Sequence, residues 1–129
     1  MKQLIYMFHE IPLAQMKENK MLDIDNLIDQ ITKFRDERDW KQFHNSKDLS
    51  LALSIEASEL NELFLWKDSK EVDKKRLSEE LADVLIYALM LAEKNNLDVR
   101  EIILSKLELN DKKYPVEKSR GKSNKYNEL

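Results

Sequence analysis

Turn-forming residues are almost missing from this chain. Its 129 residues include a single glycine, Gly121, and two prolines, Pro12 and Pro115. Sheet proteins need many tight turns, and tight turns draw on glycine and proline. The chain is therefore expected to be all-α, with long helices joined by short connections in one domain. It has no cysteine, which removes disulfide frameworks, thiolate metal sites and cysteine nucleophiles and fits a cytoplasmic setting. A net charge of -3 argues against binding a nucleic acid polymer through bulk electrostatics. No apolar run approaches the roughly 20 residues of a membrane span, so no membrane contact is expected.

Hydrophobic spacing marks four helices. The first runs from about Ile24 to Arg38, with Ile24, Leu27, Ile28, Ile31 and Phe34 at helical spacing and Asp23 as cap. A loop with Trp40, Phe43 and His44 follows. The second helix is expected from Lys47 to Trp66 with Ser46 as cap. The third is expected from Lys70 to Asn95, Asp68 and Glu71 resembling a capping box. The fourth runs from Val99 to Lys113 behind Asp98, and Pro115 forbids its continuation. Beyond it the tail reads as polar and extended. Between Lys106 and Tyr126 seven Lys/Arg face three Asp/Glu, a basic segment that is either a solvated tail or a receiver of polyanions. Short connections imply antiparallel neighbours and a four-helix bundle. Residues 1–20 form an extension of unassigned order, and residues 21–129 form the patterned domain. The segment Leu4 to Phe8 is too short for a signal-peptide core.

Two helices carry carboxylates where a core helix would place leucine. On the second, Glu56 and Glu59 lie on the stripe of Leu53, Leu60 and Leu63. On the third, Glu80 and Asp83 lie on the stripe of Leu77, Val84, Tyr87 and Leu91. Residues three apart on a helix project to the same side. Antiparallel packing would bring both pairs into one pocket. Unpaired buried carboxylates are very costly, so something must neutralise them. A hard divalent cation suits an all-oxygen set, Mg²⁺ first and Mn²⁺ as a possible substitute. A carboxylate di-iron bundle wants Glu-x-x-His, and neither His9 nor His44 has that spacing. A single Glu-x-x-Glu is commonplace on solvated helices, and that reading stays open beside the metal site. A Mg²⁺ cluster typically works on phosphate oxygens, here without any Gly-rich phosphate loop. Phosphoanhydride hydrolysis is the reaction class this suggests.

The segments "RDWKQFH", "ALSIEASELNELFLWK", "SEELADVLIYALMLA" and "SKLELNDKKYPVEKSRGKSNKY" together resemble the MazG-like all-α nucleoside triphosphate pyrophosphohydrolases, nearest their dCTP pyrophosphatase branch. The resemblance covers roughly residues 34 to 129. It implies a helical protomer assembling as a homodimer or a dimer of dimers. It also implies Mg²⁺-dependent cleavage of a nucleoside triphosphate to the monophosphate and pyrophosphate. The implied metal ligands and catalytic residues are Glu56, Glu59, Glu80 and Asp83. The implied nucleotide pocket holds Trp40, Lys41, Gln42, Phe43, His44, Trp66 and Tyr87, whose aromatic faces suit a stacked base. Trp66 and Tyr87 could equally be ordinary core residues. Asn110, Lys113, Lys122 and Lys125 match family segments near the phosphates. Vertebrate members of the branch carry a histidine where this chain has Ile31, one turn before Phe34, which puts the base preference in question. A different nucleotide, such as dUTP or a general NTP, and a non-enzymatic helical interaction module are the alternatives.

Overall fold

A computed structural model describes residues 23–128; the extension 1–20 lies outside them. The described residues contain helices and no strand. Helix α1 spans Ile24–Asp36, capped by the Asp23 side chain, which accepts from the Asn26 N–H at 3.1 Å. A 3-10 turn, Trp40–Phe43, follows Asp39. Asp39 sits in the left-handed region at φ 52°. Gln42 Nε2 stabilises that bend by donating to the Asp39 carbonyl at 3.0 Å and to its carboxylate at 2.8 Å.

Helix α2 spans Ser46–Glu62, and its cap is Asn45 rather than Ser46. Asn45 accepts from the Asp48 N–H at 2.8 Å and donates from Nδ2 to the Asp48 carboxylate at 2.7 Å, satisfying the first turn in both directions. Ser46 is thereby free to bond elsewhere, and its Oγ accepts from Asn95 Nδ2 at 3.1 Å. That bond ties the start of α2 to the end of helix α3, Lys74–Lys94. The two helices therefore run antiparallel. The second helix ends earlier than expected, at Glu62, and Trp66 takes a left-handed backbone at φ 62° in the turn beyond.

The third helix starts later than expected. Asp68 caps only a 3-10 turn, Ser69–Glu71, and Asp73 caps α3 by accepting from the Lys75 N–H at 2.9 Å. The "KNN" stop takes a defined form. Asn96 is left-handed at φ 53°, the Asn96 N–H donates to Glu93 O at 3.1 Å, and the Leu97 N–H donates to Ala92 O at 3.0 Å. This is a Schellman closure with asparagine at the usual glycine position.

Helix α4 spans Val99–Lys113, with Asp98 accepting from the Glu101 N–H at 3.0 Å as expected. The tail is less extended than its composition suggests: a one-turn helix, Val116–Ser119, and a 3-10 turn, Tyr126–Glu128, follow Pro115. Tyr126 folds back edge-on to Tyr114, ring centres 6.1 Å apart, with Lys113 Nζ 5.3 Å above its ring.

Packing is dominated by α2 against α3, with α1 laid on α3. Among the described residues, Leu49, Leu63, Met90, Ala92 and Val99 are the buried apolar ones. Helix α4 packs little on this trio. Its start is joined to α1 through Arg100, which pairs with Asp25. Large apolar side chains stay exposed on α2 (Leu51, Ile55), on α3 (Leu81, Leu85) and on α4 (Ile103, Leu104, Leu107). A closed four-helix core is not completed by the described residues of one chain.

Candidate active site

Antiparallel α2 and α3 bring their inward carboxylates together. One oxygen from each of Glu56, Glu59 and Glu80 lies within 4.8 Å of the others. Glu56 and Glu80 are half-buried and Glu59 is exposed. Asp83 stands outside this group of three, but its charge reaches both Glu56 and Tyr87. Burial pushes the Glu56 carboxyl above the usual carboxylate range, and a hydrogen bond shared with Glu59 and the charges of Glu59, Asp83 and Glu80 push it the same way. A carboxylate that holds its proton too tightly among others is short of positive charge. An oxygen-only donor set of this kind fits a hard divalent cation.

A cavity of about 380 Å³ opens between α1, the 3-10 turn and α3. Its walls are Gln30, Ile31, Phe34 and Arg35 from α1, then Trp40 and His44, then Asp83, Ile86, Tyr87 and Met90 from α3. Phe34 and Trp40 meet edge-on at 5.9 Å, and the Arg38 guanidinium lies 3.5 Å over the Phe34 ring. An apolar, aromatic slot with a few polar groups is the usual form of a small-molecule site. Asp83 joins the cavity to the carboxylates. Burial, then the charges of Glu56 and Asp83, raises the Tyr87 phenol above its ordinary value.

Two polar groups of the cavity stand out. The His44 Nδ1 is fully enclosed without a hydrogen-bond partner. Burial, then the charges of Arg35 and Lys94, holds this imidazole below its ordinary pKa. Arg35 is only 3% exposed. Its Nε donates to Asp36 at 2.8 Å and its Nη1 to Glu93 at 3.0 Å. Hydrogen bonding to Asp36 is the largest influence on its guanidinium and raises its pKa against the opposing effect of burial.

Of the residues singled out from sequence, Glu56, Glu59 and Glu80 converge, while Asp83, Trp40, His44 and Tyr87 meet at the cavity. The others lie elsewhere. Lys41, Gln42 and Phe43 are exposed on the 3-10 turn and do not line the cavity. Trp66 is 99% exposed, neither a cavity wall nor a core residue of this chain. Asn110 is half-buried on α4, and Lys113, Lys122 and Lys125 are exposed on the end of α4 and the tail. Gln30, Arg35, Ile86 and Met90 were missed. Ile86 and Met90 follow from helical spacing about Asp83 and Tyr87, but Arg35 reads in sequence as one more solvated charge.

Facing carboxylates on two antiparallel helices, opening onto an aromatic slot, define a helical site of a particular class. The chain belongs to the MazG-like family, whose sequence pattern matches residues 51–129. It is similar to dCTP pyrophosphatase 1 of Bos taurus, 42% identical over 126 residues, with 92% of this chain and 73% of the relative covered. It is likewise similar to dCTP pyrophosphatase 1 of Mus musculus, 43% identical over 105 residues; there the match covers 75% of this chain and 62% of the relative's length. The fold is similar to the crystal structure of a pyrophosphatase from Archaeoglobus fulgidus, TM-score 0.69, at 38% identity, covering 75% of this chain and 96% of that one. No described helix is long and apolar enough to cross a membrane.

Proposed function

We propose that the protein hydrolyses nucleoside triphosphates to the monophosphate and pyrophosphate, favouring dCTP or a modified dCTP, in the upkeep of the cytoplasmic nucleotide pool. The observation that carries this is the meeting of Glu56, Glu59 and Glu80 beside an aromatic cavity that shares Asp83 and Tyr87 with them. The similarity to proteins named dCTP pyrophosphatase 1 supports the choice of substrate.

Glu56, Glu59 and Glu80 would hold a divalent cation, Mg²⁺ by the hardness of their oxygens, with Asp83 as the fourth carboxylate. When bound, such an ion neutralises phosphate charge and makes a coordinated water more acidic. Phe34 and Trp40 hold the base in the slot and Tyr87 lines the stretch towards the sugar, which fixes the phosphates at the carboxylate end. Water oxygen joins phosphorus as the α–β anhydride bond breaks, and a carboxylate oxygen free of the cation takes the proton. Pyrophosphate leaves with the bridging oxygen. The lysines of the tail, Lys113, Lys122 and Lys125, offer point charges for the outer phosphates.

The bare apolar faces of α2, α3 and α4 support a homo-oligomer, a dimer or a dimer of dimers, since exposed patches of this kind are rarely left to water. Pyrophosphate release from a panel of dNTPs and NTPs, with Mg²⁺ and with EDTA, tests the function. Metal-dependent release led by dCTP is expected. A Glu56→Gln protein that keeps full turnover would refute the assignment of the carboxylates.

A further inference from the structure

Arg35 places a fixed donor in the base slot. It is almost wholly buried, it lines the cavity, and its two hydrogen bonds go to Asp36 and Glu93 through Nε and Nη1. No described residue accepts from its Nη2. A guanidinium offers donors only, in a rigid planar fork, and cannot switch to accepting. Asp36 and Glu93 set the plane of that fork, so it cannot swing away from the cavity without breaking both bonds. His44, another wall of the cavity, is held towards its neutral form.

The position of Arg35 matters as much as its chemistry. Asp83, Tyr87 and Met90 mark successive turns of α3 along the cavity, and Glu93, the anchor of Arg35, is a turn further on. Asp83 to Met90 is about 10 Å along the helix axis, at about 1.5 Å per residue. With phosphates at Asp83 and the carboxylates, the sugar falls near Tyr87 and the base near Met90. Arg35 then meets the edge of the base.

We propose that Arg35 is the residue that selects cytosine over uracil and thymine. Cytosine presents an edge of two adjacent acceptors, O2 and N3, to the N–H donors of the uncommitted Nη2. Uracil and thymine carry a hydrogen on N3, which opposes a donor with a donor and leaves the buried guanidinium unsatisfied. A mismatch of this kind is more discriminating than a missing methyl group, because a buried polar group loses its partner. This inference rests on the nucleotide reading above but not on turnover.

The test is calorimetric binding of dCMP and dUMP, without metal, to the full chain. Three proteins are compared: the wild type, Arg35→Lys, and Arg35→Met combined with Glu93→Gln. The double change avoids leaving the Glu93 charge unpaired. The wild type is expected to prefer dCMP, and both variants to lose about tenfold to a hundredfold of that preference, the worth of one hydrogen bond from a charged group. Lys keeps the charge without the fork, so its failure to rescue separates geometry from charge. Equal binding of the two nucleotides by the wild type, or of neither, overturns the proposal. So does a variant in which both weaken together at constant ratio, which would make Arg35 a strut between α1 and α3. Arg35-dependent dCMP preference in a protein that releases no pyrophosphate would sink the hydrolytic reading and leave this one standing.

Discussion

Removing the charge of Glu56 should make the metal-free protein more stable and the metal-loaded protein less so. The oxygens of Glu56, Glu59 and Glu80 come within 4.8 Å of one another. Two unit charges at that separation repel by about 0.9 kcal/mol in water and about 3.5 kcal/mol at an effective dielectric of about 20. Glu59 is exposed and Glu56 and Glu80 only half-buried, so solvent screening favours the lower figure. Relief of the Glu56 repulsions then amounts to about 1 kcal/mol, or about 4 °C in Tm for a domain near this size. The sign with pH follows from the raised pKa of Glu56. Its ionisation is harder in the folded chain than in the unfolded one, so the penalty is absent below about pH 4.5, its ordinary value. The penalty grows as pH rises through the elevated folded value. Melting curves of wild type and Glu56→Gln at pH 7.5 and pH 4, with EDTA and with Mg²⁺, read all of this. The variant should melt higher in EDTA at pH 7.5, match the wild type at pH 4, and gain less from Mg²⁺. A variant that melts lower in EDTA, or gains as much from Mg²⁺, would refute the picture of a charge-crowded cation site.

Trp40→Ala should raise KM for the nucleotide by about tenfold to a hundredfold, the worth of one stacked base, with kcat moved less; an unchanged KM would take Trp40 out of the slot. Asn45→Ala should cost about 1 kcal/mol through loss of the α2 cap. Ser46→Ala, which gives up only the bond to Asn95, should cost less in the same melting assay. His44 resists protonation in the fold, chiefly through burial and then through Arg35 and Lys94, while the unfolded chain takes the proton near pH 6.5. Stability due to this group is therefore lost as pH falls below 6.5, and a His44→Asn protein should show a shallower decline of Tm between pH 7 and pH 5.

The helices were legible because their signals are local. Asp23 and Asp98 each precede an apolar periodic run, and both cap as read. Boundaries failed where two capping residues compete: Asn45 beside Ser46, and Asp73 five residues after Asp68. The winner is decided by what else each side chain can bond, and Ser46 had Asn95 across the helix pair. The carboxylate cluster was legible because three-residue spacing fixes which side of a helix a pair faces. Arg35 was not, because its burial depends on Glu93, 58 positions away in the chain. The exposure of Trp66 was hidden for a related reason. A large aromatic suggests burial, yet a left-handed turn holds it in solvent in the single chain.

Helix α3 serves two purposes on two of its sides. It meets α2 through the residues that gather negative charge, and it meets α1 through the slot. Under the proposed function, chemistry and selectivity fall on different neighbours of one scaffold. Exchanging α1, with its Gln30, Ile31, Phe34 and Arg35, would redraw one wall of the slot and leave Glu56, Glu59 and Glu80 untouched. A library confined to those positions of α1 is the natural way to retarget this protein to another nucleotide.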